Sequence, residues 1–581
     1  MKPERNRLIG AVVIASACGL ALVQAWVQAQ GRGGGEWTTS QGDAQRTSWV
    51  RSDVRLTKDA VQKGELKFLW KMKLDNETRQ LNSLTTPVLM DRLISHRGFK
   101  ALAFVGTSAE RVYAIDTDLA RVYWTTVINY SSIAPPANSS WACPGGLIAA
   151  VTRPTNYAVS AFGGAGGGGR GGRSGSSVGE PGKGAPSLAL VGQGRGAVPG
   201  DPTGGRGAAP AAPAVQVAPA GRGAVPSGVA AMGGGPTDNV FVVASDGYAR
   251  TINPHNGSDR VPPVPFLPAN ARPSGLIFVD GVLYTSTSNG CGATPNGVWA
   301  IDLASDTKKP VSWKTNGGNV AGTAGPTFGT DGTIFVAVGD GAPSANATGS
   351  ASYSNSIVAL ESRTLKLKDS FTQPGADFNT SPVVFRHKDK DLMAVSGNDG
   401  RLYLLDGTSL KTSLYVTPNY SNAGATGGLA TWESEGTRWI LAPALGAAQP
   451  GMKVVANGPV TSGSIVAFRL VDDGGKLSLE PAWASRDLTS PAAPLVFNGV
   501  VFVVSTGEHR PASASATAAL RAKSSVPAVL YALDPSTGKE LWTSGKTITS
   551  FARGGLSAAA GQVYLVTFDN TVYAFGIPME H

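Results

Sequence analysis

A short phrase recurs along the chain and constrains the fold more than any other feature. It consists of an aliphatic residue, a second apolar and often aromatic residue, a small or aliphatic residue, an aliphatic residue and an acid. The clear copies are Val112–Asp116, Val298–Asp302, Ile357–Glu361, Leu402–Asp406 and Leu530–Asp534, and the weaker ones are Ala249–Asn253, Ile465–Arg469 and Val572–Phe575. The eight copies follow one another at a spacing of roughly 42–65 residues, if the long insert in the second unit is not counted. Such a repeat indicates a supersecondary unit that stacks on copies of itself.

The chemistry of each copy predicts β-strands. The phrase is followed by turn residues, as in Asp534 to Gly538, where the acid accepts from nearby backbone N–H groups and glycine tolerates a positive φ. Runs such as Val500–Val504 are continuously apolar, which suits sheets covered on both faces. Charged residues make up only 15 % of the chain and glycine occurs 75 times, as expected of a turn-rich β protein. We therefore predict an all-β fold.

The two ends of the chain complement each other. The last copy, Val572–Phe575, has no Trp-bearing strand after it, whereas Leu66–Trp70 has that strand and no phrase before it. Joining them predicts an eight-bladed β-propeller over residues 36–578, with the ring closed by the N-terminal strand. Closure removes the exposed edges of an open sheet. The alternative is an ordinary sandwich with two unrelated terminal strands.

The N-terminus predicts export. Residues 1–7 are basic, residues 8–23 are mostly apolar, and small residues precede a cleavage point after Ala29. We predict a signal peptide at 1–29 and a periplasmic or secreted protein, with no transmembrane span after its removal. The alternative is a lipoprotein anchored at Cys18, although the position three residues earlier holds Ala15 in place of a Leu-like residue.

Residues 161–236 are rich in Gly, Ala, Pro and Arg and have no apolar period. Such a composition cannot offset the entropy of ordering, so we predict a disordered insert within blade two. The formal charge of the chain is +10, but much of the excess lies in this insert and in the leader. We therefore predict no nucleic-acid partner.

Three longer segments carry a resemblance to a known family. They are Trp37–Arg46, Ile334–Pro343 and Ser396–Asp406. With the repeats, they resemble the quinoprotein family of pyrroloquinoline-quinone (PQQ) repeat propellers, and its alcohol-dehydrogenase-like branch in particular. The resemblance covers nearly the whole mature chain. It implies an eight-bladed fold with PQQ and Ca²⁺ as cofactors.

The family's pocket also has a Glu and an Asn for Ca²⁺, an Asp base, an Arg, a Trp floor and usually a Cys–Cys roof. In this chain the aligned segment Thr287–Gly292 has no acid, and the Asn position holds Asp340, which can still ligate a cation. The Arg position holds Asn398, and Asp377 aligns better with a structural Asp of the family than with the base. The resemblance therefore implies a degenerate cofactor site with no catalytic residue. Asp340, Asp377 and Asn398 remain candidates for cofactor binding, and Asp340 for a metal.

Cys143 and Cys291 are the cysteines that remain after leader removal. In an oxidising compartment an even pair favours a disulfide. The family alignment places both residues at the mouth of the central funnel, Cys143 where one half of the lost Cys–Cys roof lies. We predict that they form a disulfide, and two buried free thiols are the alternative.

Two functions stay open. The chain has no C-x-x-C-H haem motif and no metal-binding spacing among its five histidines. The preferred hypothesis is a noncatalytic exported scaffold that presents its funnel to a small ligand or a protein. The alternative is a divergent PQQ-dependent dehydrogenase, a quinoprotein oxidoreductase.

Overall fold

The computed structural model describes residues 37–51, 53, 55–95, 98–128, 140–157, 238–342, 351–511 and 516–578. The predicted signal peptide at 1–29, with Cys18, and the predicted insert at 161–236 lie outside these ranges. The described part begins with strand β1 (Trp49–Val50), helix α1 (Lys58–Gln62) and strand β2 (Lys67–Lys73). Among the described residues, no helix has the length and apolar character needed to cross a bilayer.

The first four blades follow in chain order. Their strands are β3 (Val88–Ser95), β4 (Gly98–Gly106), β5 (Arg111–Asp116) and β6 (Arg121–Val127) in blade 1; β7 (Val240–Val243), β8 (Tyr248–Ile252) and β9 (Val264–Pro265) in blade 2; β10 (Pro273–Val279), β11 (Val282–Thr287), β12 (Gly297–Asp302) and β13 (Val311–Lys314) in blade 3; and β14 (Thr327–Phe328), β15 (Ile334–Val338), β16 (Ser356–Leu360) and β17 (Leu367–Thr372) in blade 4. In blade 2 a single antiparallel bridge from Thr152 to Phe241 takes the place of a first strand.

The remaining blades complete the ring. Between them, β18 (Thr380–Ser381) and β23 (Gly427–Gly428) form a short parallel pair. The blade strands are β19 (Val383–His387), β20 (Lys390–Ser396), β21 (Leu402–Asp406) and β22 (Ser409–Val416) in blade 5; β24 (Ala430–Ser434), β25 (Thr437–Leu445), β26 (Val455–Ala456), β27 (Gly463–Asp473) and β28 (Lys476–Ala484) in blade 6; β29 (Leu495–Phe497), β30 (Val500–Ser505), β31 (Val529–Leu533) and β32 (Glu540–Thr543) in blade 7, where helix α2 (Ala518–Ser524) precedes β31; and β33 (Ser557–Ala559), β34 (Gln562–Val566) and β35 (Thr571–Gly576) in blade 8.

Strand β2 closes the ring. It pairs antiparallel with β35, and Trp70 lies opposite Ala574. Blade 8 therefore takes one strand from the N-terminal part of the chain and three from the C-terminal part. The predicted all-β, eight-bladed fold and its closure by the N-terminal strand are confirmed.

Residues 37–50 also connect the blades, through hydrogen bonds. Backbone carbonyls of this segment accept hydrogen bonds from the first strands of blades 1, 4, 5, 6 and 7, and from the segment that takes the place of a first strand in blade 2. The backbone N–H donors are those of Leu89, Arg153, Phe328, Val384, Thr431 and Val496. In blade 3, the Thr39 hydroxyl donates to the Leu276 carbonyl at 2.8 Å. Inner strands of a propeller present unpaired backbone groups to the channel. This segment satisfies many of them.

Arg46 anchors that segment. Its side chain is fully buried and donates to the carbonyl oxygens of Pro326 at 2.9 Å and Ser40 at 2.7 Å. Burial lowers the pKa of the guanidinium to about 9, although nearby Asp43 acts in the opposite direction. Arg46 closes the Trp37–Arg46 motif, so that motif has a structural role inside the ring.

The tryptophans that follow the repeated phrase join neighbouring blades. The indole Nε1 of Trp70 donates to the Thr117 carbonyl at 3.1 Å, and Trp124 and Trp483 donate in the same way to Pro254 and Pro535 of the next blade. A Cβ at Gly538 would lie 2.3 Å from the Trp483 ring. The glycine of that turn therefore leaves room for the tryptophan of the preceding blade.

Candidate functional site

One end of the propeller carries the loops that follow the second strand of each blade and those that precede the first strand. We call this end the mouth. Loops of both kinds meet there because the second strand of a blade ends where the first strand begins. The predicted candidates Asp340, Asp377 and Asn398 all lie at the mouth, between blades 4 and 5.

The structure brings those three residues together. The backbone N–H of Asp340 donates to Oδ1 of Asp377 at 2.7 Å, and Nδ2 of Asn398 donates to Oδ2 of Asp377 at 2.6 Å. Asn355 links the two acids, because its Nδ2 donates to Oδ1 of Asp340 at 2.8 Å and its Oδ1 accepts from the Asp377 N–H at 2.7 Å. We call these four residues the acid–amide cluster.

The oxygen atoms of the cluster decide whether it can hold calcium and a quinone. Ca²⁺ takes about six to eight oxygen ligands, usually several of them from carboxylates. In the cluster, both oxygens of Asp377 already accept protein hydrogen bonds, and only the exposed Asp340 has a carboxylate oxygen without one. Within the described residues, no group of three or more His, Cys, Asp or Glu side chains could hold a metal ion. These residues do not fit a Ca²⁺-bound quinone.

Asp377 instead organises the loop that carries it. Its φ is +43°, a left-handed conformation that Asp and Asn tolerate better than other non-glycine residues. Its own backbone N–H and both carboxylate oxygens are hydrogen-bonded within the cluster.

We expect Asp377→Ala to lower the free energy of unfolding by about 2–3 kcal/mol, because it removes two hydrogen bonds and adds strain at a positive φ. Asp377→Asn keeps the tolerated backbone and one acceptor, so it should lose about 1 kcal/mol. Urea unfolding of the two variants and the wild type measures the difference. Equal losses would contradict this role.

A second cluster lies at blades 7 and 8. Glu508 follows β30, is fully buried, and contacts three guanidinium groups: Arg510 at 2.8 Å, Arg521 at 2.7 Å and Arg553 at 2.9 Å. Burial alone would raise the pKa of Glu508, but the charges of Arg510, Arg553 and Arg521 outweigh it and hold the pKa below its usual value. Glu508 is therefore a buried carboxylate.

A short strap lies at the mouth. It comprises Trp141, Ala142 and Cys143. The Trp141 ring lies 4.8 Å from the guanidinium of Arg521 in helix α2. On the other side Cys143 is disulfide-bonded to Cys291 of blade 3, with the Cα atoms 5.6 Å apart. The strap thus spans from blade 7 to blade 3.

The strap is connected to both clusters. It reaches the Glu508 cluster through the contact of Trp141 with Arg521, and hydrogen bonds lead from it toward the acid–amide cluster. The Ala142 carbonyl accepts from Nδ2 of Asn289 at 3.1 Å, and the Asn289 N–H donates to Oδ1 of Asn319 at 2.6 Å. The Gly339 N–H, next to Asp340, donates to the Asn319 carbonyl at 2.9 Å.

Beyond the acid–amide cluster, Asn379 contacts Asn398 and the Ala425 carbonyl, and Arg510 donates to the Thr426 hydroxyl at 3.0 Å. These contacts therefore connect the mouth loops of blades 3 to 7.

The disulfide can be checked directly. Mapping of nonreduced peptides from the purified protein is expected to recover Cys143 and Cys291 in one linked pair, because their Cα separation lies within the range of roughly 4.4–6.8 Å that a bridge needs. Recovery of two alkylatable thiols would contradict it.

Sequence reasoning missed Glu508 and the three arginines that contact it. These charges come from blades 7 and 8, and no repeat or motif connects them. Their one sequence signal is a run of acidic and basic residues at 508–510 in a chain with few charges.

Comparisons with known proteins agree with the fold. Residues 463–577 match the PQQ_2 family model, described as outer membrane protein assembly factor BamB. No curated protein matches the sequence. The quinohemoprotein alcohol dehydrogenase from Comamonas testosteroni is 14 % identical, with 94 % of this chain and 81 % of that chain covered and a TM-score of 0.54. A europium-containing methanol dehydrogenase is 10 % identical, with coverages of 95 % and 100 % and a TM-score of 0.55.

Fold and comparisons together define the class: the chain is an eight-bladed β-propeller of the quinoprotein type. Its last repeats, at 463–577, match the PQQ-repeat model, and that match is confined to this part of the chain. At identities of 10–14 %, the likeness to the dehydrogenases concerns the fold alone.

Proposed function

We propose that this protein is an exported, noncatalytic PQQ-repeat propeller whose mouth binds a small ligand or a protein. The observation that carries the proposal is how the acids of the mouth are engaged. Asp377 accepts from the Asp340 backbone and from Asn398, and Glu508 is held by three arginines. A general base needs a lone pair within reach of the substrate proton, and these two acids use theirs to organise the mouth.

The binding role has two supports. The family model matched at 463–577 bears the name of an assembly factor, and a scaffold role is the one that such a name suggests for a related chain. The cross-linked mouth also suits recognition, because binding residues held by rigid loops lose little entropy when a partner binds.

Export is the location that fits this role. The predicted signal peptide at 1–29 implies a periplasmic or secreted protein, and a disulfide is stable in such a compartment. The alternative remains a lipoprotein anchored at Cys18. Mass measurement of the mature N-terminus distinguishes cleavage after Ala29 from a lipid-modified Cys18.

The second candidate is a divergent PQQ-dependent dehydrogenase. The observation in its favour is Asp340, an exposed carboxylate at the family's metal position. In that case Asp340 would bind the metal, and the cofactor would contact Asp377 and Asn398. This alternative requires binding that depends on both PQQ and Ca²⁺.

Titration of the purified protein with PQQ, in Ca²⁺ and separately in EDTA, tests the proposal. We expect no Ca²⁺-dependent absorbance change and no Ca²⁺-dependent rise in melting temperature. A saturable, stoichiometric change that needs Ca²⁺ would contradict it, provided that Asp340→Asn removes the change. Asp389→Asn, at an exposed turn far from the mouth loops, is the matched control and should behave like the wild type.

A further inference from the structure

A cleft lies between the outer parts of blades 6 and 7. It has a volume of about 520 Å³ and opens to solvent, and the polar residues that line it are Asn457, Thr461, Arg486, Asp487, Lys539 and Glu540. Small-molecule sites in proteins are clefts of roughly 300–1,000 Å³, so the cleft has room for a small ligand. It shares no residue with the acid–amide cluster or the cluster around Glu508, and its role is therefore independent of the function proposed for the mouth.

Two contacts hold the walls of the cleft together. Strand β26 is the outermost strand of blade 6, and the residue that follows it is Asn457. Nδ2 of Asn457 donates to the Ala484 carbonyl of blade 6 and to the Thr537 carbonyl of blade 7, each at 2.8 Å. Arg486 of blade 6 forms an ion pair with Glu540 of blade 7. Walls that are fixed in this way preorganise the cleft for a ligand.

The wall on the blade 6 side carries a negative charge. Oδ1 of Asp487 accepts hydrogen bonds from the backbone N–H groups of Thr461 at 3.0 Å and Ser462 at 2.8 Å, and Oδ2 accepts from the Thr461 hydroxyl at 2.9 Å. Burial alone would raise the pKa of Asp487, but the hydrogen bonds from Ser462 and Thr461 outweigh it and hold the pKa below its usual value. Asp487 is therefore a carboxylate at neutral pH.

The wall on the blade 7 side carries a positive charge. Lys539 lies in the turn before β32, and its side chain is exposed. Within the described residues, its ammonium group takes part in no hydrogen bond and no ion pair. Arg486 and Glu540 neutralise each other. The cleft therefore has no net charge, but it presents Asp487 on one wall and Lys539 on the other.

We propose that this cleft binds a small zwitterion, a free amino acid or a dipeptide. The ammonium group of the ligand donates to Oδ2 of Asp487, which has a lone pair to spare, and the carboxylate of the ligand accepts from Lys539. A ligand with a single charge satisfies one wall only. A ligand whose two opposite charges are separated satisfies both.

Calorimetric titration at pH 7 and constant ionic strength tests the site, with L-alanine and L-alanyl-L-alanine as probes. We expect saturable one-to-one binding of at least one of them to the full-length protein. N-acetylation removes the positive charge of the probe and should weaken binding at least tenfold, and conversion of its carboxylate to the amide should do the same. Absence of saturable binding by both probes would overturn the inference, and so would equal binding of the blocked forms.

Lys539→Met should weaken binding of the unblocked probe at least tenfold. It should leave the affinity for the C-terminal amide unchanged, because that probe has no carboxylate for Lys539 to contact. The melting temperature of the ligand-free protein should stay the same, since the exposed side chain of Lys539 forms no ion pair in the described chain. Lys476→Met is the matched control, an exposed lysine at the other end of β28, and should bind like the wild type. Wild-type affinity in Lys539→Met would contradict the assignment.

Discussion

Deletion of residues 37–75 is expected to unfold the propeller as a whole. The deletion removes β2, which completes blade 8, and the segment 37–50, which hydrogen-bonds to blades 1 to 7. It also removes the buried Arg46 and opens the edge of β35. A ring that loses its closing strand loses the contacts of its first and last blades together, so a trimmed native domain is not expected.

Far-UV and near-UV circular dichroism during urea unfolding measures this effect. The wild type should show one cooperative transition, and the deleted protein none. Deletion of residues 30–36 is the control and should leave the transition in place. A cooperative transition with native near-UV signal in the 37–75 deletion would show that the ring does not depend on its N-terminal part.

Substitution Glu508→Gln is expected to lower the free energy of unfolding by about 3–5 kcal/mol. The glutamine keeps the volume of the side chain but removes the one negative charge among Arg510, Arg521 and Arg553. Three guanidinium groups are then left without their shared counter-ion. Glu480→Gln is the control, because Glu480 and Arg469 are 3.6 Å apart and both are about half exposed. It should lose less than about 1 kcal/mol.

The free energy of unfolding that Glu508→Gln loses should depend on pH in one direction. The pKa of Glu508 is lower in the folded protein than its ordinary value of 4.5. A carboxylate of this kind stabilises the fold above its unfolded pKa, and its contribution disappears as pH falls through the lower folded value. The difference in free energy of unfolding between the wild type and Glu508→Gln should therefore be largest at pH 7 and should decrease below about pH 4.5. A difference that grew on acidification would contradict the assigned charge.

The fold was accessible from the sequence because the repeated phrase acts locally. Each copy encodes one strand and one turn, so counting copies counts blades without any long-range information. The placement of Trp70 in the same blade as Val572–Phe575 followed from the complementary incompleteness of the two ends, and the structure adds its register opposite Ala574. Blade 2 shows the limit of this approach, since its degraded phrase at Ala249–Asn253 belongs to a sheet of three strands.

The position of residues 37–50 could not be predicted. The Trp37–Arg46 segment contributed only to the family resemblance, and its backbone partners are spread from Leu89 to Val496. The local preference of a residue for strand or turn does not predict hydrogen bonds to residues so far away in the sequence. The same holds for Glu508, whose partners Arg521 and Arg553 lie 13 and 45 residues away along the chain.

The acid–amide cluster was easier to anticipate. Asp340 and Asn398 occupy equivalent places after the second strands of adjacent blades, and Asp377 lies before the first strand of the later blade. Equivalent places in neighbouring blades meet at the mouth, so alignment with the family brought them together. Their assignment to cofactor binding stays a prediction.

Dye-linked oxidation of alcohols and sugars, measured after incubation with PQQ and Ca²⁺, tests the noncatalytic account most directly. We expect a rate equal to that of the cofactor-free protein, because the carboxylates of Asp377 and Glu508 are held by hydrogen bonds and by arginines of the protein. A rate well above that control, abolished by Asp340→Ala and retained in Asp389→Asn, would contradict the account and establish a quinone-dependent oxidoreductase.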